Sequence, residues 1–263
     1  WKIVSNRIHE NGQKLYLDVV GFNSLSVARE VSADGVKLHT TEFYNRALIE
    51  KALNNFKKIF ISLGGIPVED IDLLMDDLLK DHSKKVCLMY GFQAEPTPLN
   101  QNNLLKLGSL KDRYPDFQLG FMDHADGGSE DAYNLSLLAM GMGITVIEKH
   151  LTLDRSLKIE DYVSGLSPDN FKRFVELVRK YEPALGSASL KLSELANEYR
   201  NKAAKLVVAL KDLNKGHIIK KDDIMLKRSG AVNSGEPIRL LENVLNKKLR
   251  TNIKINSPIF KEQ

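Results

Sequence analysis

The chain has 263 residues, 43% of them hydrophobic and 27% charged, with a net charge of +4. That is the balance of an ordinary globular protein, long enough for one large domain and one small one. Lysines and acids are interleaved, no apolar run is long enough to cross a bilayer, and Cys87 is the sole cysteine. Neither nucleic acid nor a membrane is therefore expected as a partner, and a reducing cytoplasm is the expected setting.

The predicted elements alternate. Residues 1–11 form a polar amphipathic stretch, read as the end of a helix. A strand over 14–20 is followed by a helix capped by Asn23 and running to Ala33. Strands over 35–39, 58–63 and 85–90 are each followed by a helix, over 46–56, 68–79 and 100–114. A strand over 118–122, a helix over 129–142, a strand over 144–147 and a helix over 168–181 complete the series. Six strands each followed by a helix, at crossover spacing, make an α/β fold with parallel strands. Periodicity leaves a doubly wound sheet and a barrel both open. Only thirteen residues precede the first strand and the chain opens on Trp1, so an N-terminal part is expected outside this sequence.

Two strings stand out. Phe121-Met122-Asp123-His124-Ala125-Asp126-Gly127 carries one strand into an acid and an imidazole. Ile144-Thr145-Val146-Ile147-Glu148-Lys149-His150 does the same for the next strand. The C-terminal ends of parallel strands are where α/β folds place their chemistry. Taken singly, each histidine reads as a satisfied structural residue. Two on adjacent strand ends, flanked by acids, can hold a divalent metal. Lys37, with Thr40 and Thr41 just beyond it, ends another strand, and Ser62 ends a third. Gln93 and Glu95 follow the fourth. No nucleophile triad, P-loop or dinucleotide fingerprint is present.

Residues 187–202, rich in Ser, Lys and Glu, read as a linker. From 203 onward the elements become short. Leu206-Val207-Val208-Ala209 is a strand, Lys215-Gly216 a turn, and further short strands lie around 224–228 and 247–255. This is a β-rich module of about sixty residues with a thin core.

These strings resemble the sialic acid synthase family. That family shows Ser-Asp-His after its seventh barrel strand and Glu-Lys-His-Phe-Thr-Leu-Asp-Arg after its eighth; the run from Glu148 to Arg155 differs from the latter only at Leu151. The C-terminal module is similar to the family's antifreeze-like (SAF) domain, whose Lys-Arg-Pro-Gly becomes Lys227-Arg228-Ser229-Gly230 here. The resemblance implies a (β/α)8 TIM-type barrel over residues 1–186, holding six of eight units, the third to the eighth. It implies a linker over 187–202 and a SAF domain over 203–263. The implied reaction condenses phosphoenolpyruvate with an N-acylated amino sugar to give a nonulosonic acid and phosphate.

Carried over by position, His124 and His150 are expected to ligate Mn2+ or Mg2+. Lys37, Thr40 and Ser62 are expected to face phosphoenolpyruvate. Gln93, Glu95 and Asp123 are expected to line the substrate site. Glu148 and Asp161 are expected as catalytic groups. Arg228 is expected to reach the sugar of a partner subunit, which implies a domain-swapped homodimer. Val20, Gln93, Glu95, Met122 and Tyr162 depart from the family pattern. Those departures keep a second expectation alive: a weakened homologue that binds a sugar or an assembly partner without turnover.

Overall fold

A computed structural model describes residues 1–92, 94–228 and 235–263. The expectations for Gln93, Ser229 and Gly230 lie outside the described residues. The chain divides into two compact units, Trp1–Gly186 and Ser187–Gln263.

In the first unit, α1 (Lys2–Glu10) precedes a strict alternation. It runs β1 (Tyr16–Val19), α2 (Gly21–Glu30), β2 (Gly35–Leu38), α3 (Arg46–Asn55), β3 (Lys58–Ser62), α4 (Val68–Leu74) and β4 (Val86–Tyr90). It continues with α5 (Lys106–Arg113), β5 (Gln118–Asp123), α6 (Asp131–Gly141), β6 (Val146–Lys149) and α7 (Pro168–Leu185). The strands pair in parallel and in sequence order, β1 to β6. These are six successive strand–helix units of a (β/α)8 barrel, the architecture the resemblance implies.

The period of two along each strand sorts the side chains. Val36, Leu38, Ile59, Ile61, Leu88 and Phe121 face the helices and pack with Leu48, Leu53 and Leu74 in the main core. Each such side chain contributes roughly 1.5–3 kcal/mol by leaving water. The alternate positions form a second cluster on the inner face of the sheet, where Cys87, Met89 and Met122 meet Phe60 and Val146. Gly120 belongs to that face, and a Cβ there would overlap the Met89 thioether. Met122 is thus an apolar plug of the lumen, fully buried.

Local differences from the expected elements have local causes. Helix α2 begins at Gly21, because the Ser24 hydroxyl takes the Val20 N–H and closes the first turn; Asn23 lies inside the helix. The single helix expected over 68–79 is α4 followed by a wider turn over Met75–Leu79. The helix expected over 100–114 starts only at Lys106. Asn103 has a left-handed φ of 45°, and the Asn102 amide donates back to the Pro98 and Leu99 carbonyls, which breaks the segment. Strand β6 begins two residues later than expected, which brings Glu148 and Lys149 into the sheet.

The second unit opens with α8 (Glu194–Ala203), capped by Ser193, within the stretch read as a linker. A two-stranded antiparallel ribbon follows, β7 (Leu206–Ala209) with β8 (Ile224–Lys227). Isolated bridges such as Leu213 with Ile253 and Ile218 with Lys248 close the rest, in the region where short strands are expected around 247–255. The core is Val207, Leu213, Ile219, Ile224, Leu249, Ile253 and Ile259 with their neighbours. Asp223 sits inside this unit at 2% exposure, accepting from His217, from the Lys220 N–H and from the Lys211 ammonium.

Candidate metal centre

Strand register decides which polar side chains meet. Met122 on β5 is level with Glu148 on β6, and Asp123 with Lys149. Met122 points inward, so His124, two residues on, lies on the inner side; Glu148 and His150 follow the same parity. The two rings lie with centroids 4.8 Å apart and planes at 61°. The two histidines therefore converge on one place, as their positions on adjacent strands imply. Burial, and then the neighbouring His150, push the His124 imidazole below its ordinary pKa. That favours the neutral form a metal ligand needs.

A third group joins them. The loop after β4 brings Glu95 round so that one ligand atom each from Glu95, His124 and His150 lie within 4.8 Å of one another. That loop is pinned by the Thr97 hydroxyl, which donates to the Phe92 and Ala94 carbonyls, and by the Thr97 N–H on the His124 carbonyl. The Ser164 hydroxyl donates to the same carbonyl, so loops from three strand ends are stitched at His124. A hydrogen bond shared with Asp161, and then burial, push the Glu95 carboxyl up to about 7. Asp161 Oδ2 lies 3.3 Å from His150 Nδ1. His150 Nε2 is buried with no hydrogen-bond partner among the described residues. An unmet buried nitrogen beside a second imidazole and a carboxylate fits a divalent cation, whose usual donors are these.

Beside the histidines lies an ion cluster. Lys37 Nζ is 2.7 Å from Glu148 Oε1 and 3.2 Å from Asp18 Oδ2. Burial alone would lower its pKa, but Glu148 and then Asp18 outweigh it, and the ammonium is held above its ordinary value. Thr40 begins the short turn after β2. Ser62 is fully buried at the end of β3, on the inner parity, and its hydroxyl has no hydrogen-bond partner among the described residues. Val20 is exposed between β1 and α2, and Tyr162 is half-buried in the loop after β6.

Asp123 corrects an expectation. It does not line a substrate site. Its odd parity turns it to the helix side, where it is fully buried and accepts from the Ser136 hydroxyl (2.7 Å) and the Ala125 N–H (2.9 Å). Lys149 Nζ, equally buried, is 3.0 Å away. Both carboxylate oxygens are committed, and none is left for a ligand. Asp18, Lys149 and Ser136 were not singled out by sequence reading. Asp18 carries a signal that could have found it: it is the inner-parity polar residue of β1, level with Lys37 on β2. Glu95 was singled out, but for the sugar and not for the histidine pair. Arg228 lies in the second unit, exposed, with a long hydrogen bond to the Lys202 carbonyl (3.4 Å).

Comparison with known proteins places this geometry. Residues 7–190 match the NeuB family and residues 204–263 the SAF domain. The chain is 30% identical over 207 residues to the N,N'-diacetyllegionaminic acid synthase of Campylobacter jejuni, covering 78% of this chain and 60% of that protein. It is 24% identical over 252 residues to the human N-acetylneuraminate-9-phosphate synthase, covering 94% and 67%. In fold it is similar to the Leptospira borgpetersenii N-acetylneuraminic acid synthetase solved with citrate. The TM-score is 0.69 at 23% identity, covering 77% of this chain and 70% of that one. The Bacillus subtilis spore coat polysaccharide biosynthesis protein SpsE aligns at a TM-score of 0.62 and 21% identity, covering 98% and 75%. The chain thus spans 60% of the length of the Campylobacter relative. With a family match over most of the barrel unit, and a second over the C-terminal unit, the chain belongs to the NeuB family and carries a SAF domain.

Proposed function

We propose that the protein is a nonulosonic acid synthase, joining phosphoenolpyruvate to an N-acylated amino sugar of the N-acetylmannosamine kind with release of phosphate. The observation that carries this reading is the convergence of His124, His150 and Glu95 at the C-terminal end of the parallel strands. In this reading those three residues hold Mn2+ or Mg2+, and the metal, when bound, polarises the sugar aldehyde. Lys37, Thr40 and Ser62 face the anionic groups of phosphoenolpyruvate. Ser62 supports this with a buried hydroxyl that has no described partner. In this reading Gln93 is a substrate-binding residue, on the resemblance alone. Glu148 and Asp161 are the carboxylates at hand for proton movement. The enol carbon attacks the aldehyde carbon, water adds at the enolpyruvate carbon, and the tetrahedral intermediate expels phosphate by C–O cleavage. Arg228 serves a partner subunit in a swapped homodimer, and the protein works in the cytoplasm. The name of the Campylobacter relative, a nonulosonic acid synthase at 30% identity, supports the reaction class.

A specific observation favours a second reading, a homologue that binds without turnover. The Lys37 ammonium, which an anionic substrate would need, is already committed to Glu148 and Asp18. The two readings part on one assay: phosphate release from phosphoenolpyruvate by the full-length protein, with Mn2+ or Mg2+ and a panel of N-acylated amino sugars. Release that needs both metal and sugar supports the synthase. No release with any of them leaves the binding homologue.

A further inference from the structure

We infer that Asp161 is a positioning residue for the metal centre: its carboxylate takes the Nδ1 proton of His150 and so turns the Nε2 lone pair toward the cation. This rests on the metal reading proposed above, and it gives Asp161 a task beyond any part in proton movement.

Three observations meet here. The first is the contact, with Asp161 Oδ2 at 3.3 Å from His150 Nδ1. A carboxylate behind an imidazole fixes the tautomer and the ring plane. The second is that far nitrogen. His150 Nε2 is buried and has no hydrogen-bond partner among the described residues, on a ring that packs edge-on to His124. A buried imidazole nitrogen left unmet is costly unless something else fills the place. The third is the backbone. Asp161 has a φ of 62°, in the left-handed region that favours glycine.

The surrounding loop imposes that conformation. The Asp161 carbonyl accepts from the N–H groups of Ser164 (3.1 Å) and Gly165 (2.9 Å). Gly165 lies against Gly127 so closely that a Cβ on Gly127 would overlap its carbonyl. The Gly127 N–H donates to Val163, and Arg155 bridges Asp126 and the Val163 carbonyl. The loop after β6 is thereby stapled to the loop after β5, which carries His124. Glycine at 161 would meet every one of these backbone demands with less strain. What it would lack is the carboxylate on His150.

The strained backbone supplies the test. Asp161→Gly removes the carboxylate at a position whose backbone favours glycine, and Asp161→Asn keeps an acceptor oxygen for the Nδ1 proton. Full-length wild type and both variants are titrated with Co2+, read by visible absorption, and with Mn2+, read by loss of the free-ion EPR signal. Asp161→Gly is expected to weaken binding of both ions by about 10–100-fold and to alter the Co2+ band. Its thermal unfolding temperature should be no lower than that of wild type. Asp161→Asn is expected to recover most of the affinity and the wild-type Co2+ band. The inference is overturned if Asp161→Gly binds Co2+ as wild type does, or if Asp161→Asn is no better than Asp161→Gly. Wild-type protein that binds neither ion overturns the inference and the metal reading together. Wild type that binds while Asp161→Gly is unimpaired overturns the inference alone.

Discussion

Asp123 and Lys149 form a buried ion pair, 3.0 Å apart, on the helix side of two adjacent strands, and each stands one residue before a histidine that faces the lumen. The dipeptides Asp123-His124 and Lys149-His150 therefore split between two environments. The first members hold the strands together against α6, and the second members carry the chemistry. Lys149→Ala would leave the Asp123 carboxylate buried with only Ser136 and the Ala125 N–H. With side-chain exposures of 1% and 0%, solvent screens neither charge. A loss of about 3–5 kcal/mol is expected in urea unfolding of the barrel unit. A loss under about 1 kcal/mol would mean that the pair is not what secures these strand ends.

The same alternation explains what the sequence made legible. All six strands and the convergence of the two histidines follow from apolar periodicity and strand order. The side of Asp123 was legible too, since it shares parity with Leu119 and Phe121, yet similarity of the string drew it to the substrate. Glu95 is another matter. It sits on a loop whose path is set by the Thr97 hydroxyl and by contacts with His124, separated by 29 and 55 positions from the histidines it joins. No local pattern encodes such a meeting. The break at Asn103 likewise depends on side-chain bonds to the backbone that compete with a helix.

Cys87 lies on the inner face of β4, fully buried, and burial pushes its thiol up to about 12. Thiolate is the reactive species, so at pH 8 the native thiol should be inert. A disulfide-exchange reagent should find no reaction at Cys87 in native protein and one equivalent in denaturant. Rapid native labelling of Cys87 would show that the lumen opens.

Asp223 governs the acid stability of the second unit. Burial alone would raise its pKa, but His217, Lys211 and the Lys220 N–H outweigh it and hold the carboxyl well below the usual range. A depressed folded value stabilises above the unfolded pKa, near 3.9, and the contribution fades as pH falls below that toward the folded value. Wild type should therefore lose stability from about pH 5 downward. Asp223→Asn should start less stable at pH 7 and show a flatter dependence below pH 4. Parallel acid profiles for the two proteins would show that other carboxylates set the acid limit.

Asp18 tests the competition at Lys37. Removing its charge leaves Glu148 as the remaining carboxylate on the ammonium. Asp18 is 45% exposed, so its pull is partly screened and the effect is modest. Asp18→Asn is expected to tighten phosphoenolpyruvate binding a few-fold, on the order of the 0.2–1 kcal/mol typical of such pairs. Calorimetric titration of the full-length protein reads it directly. Weaker binding would show that Asp18 orients Lys37 for the ligand and does not compete with it.

Glu95 separates two roles that the geometry brings together. If it ligates the cation with His124 and His150, Glu95→Gln should weaken Mn2+ binding on the order of tenfold or more, and His150→Ala should abolish it. Amino-sugar affinity, measured at saturating metal, should then be nearly unchanged. If Glu95 instead recognises the sugar, Glu95→Gln should leave the Mn2+ titration as in wild type and raise the sugar requirement alone. Glu95→Tyr sharpens the contrast, because it restores the aromatic residue of the family pattern and removes an oxygen donor. As a ligand replacement it should return the site to two histidines and lower Mn2+ affinity as Glu95→Gln does. As a sugar replacement it should shift preference toward N-acetylmannosamine at constant metal affinity. The placement of the three ligand atoms within 4.8 Å favours the first outcome.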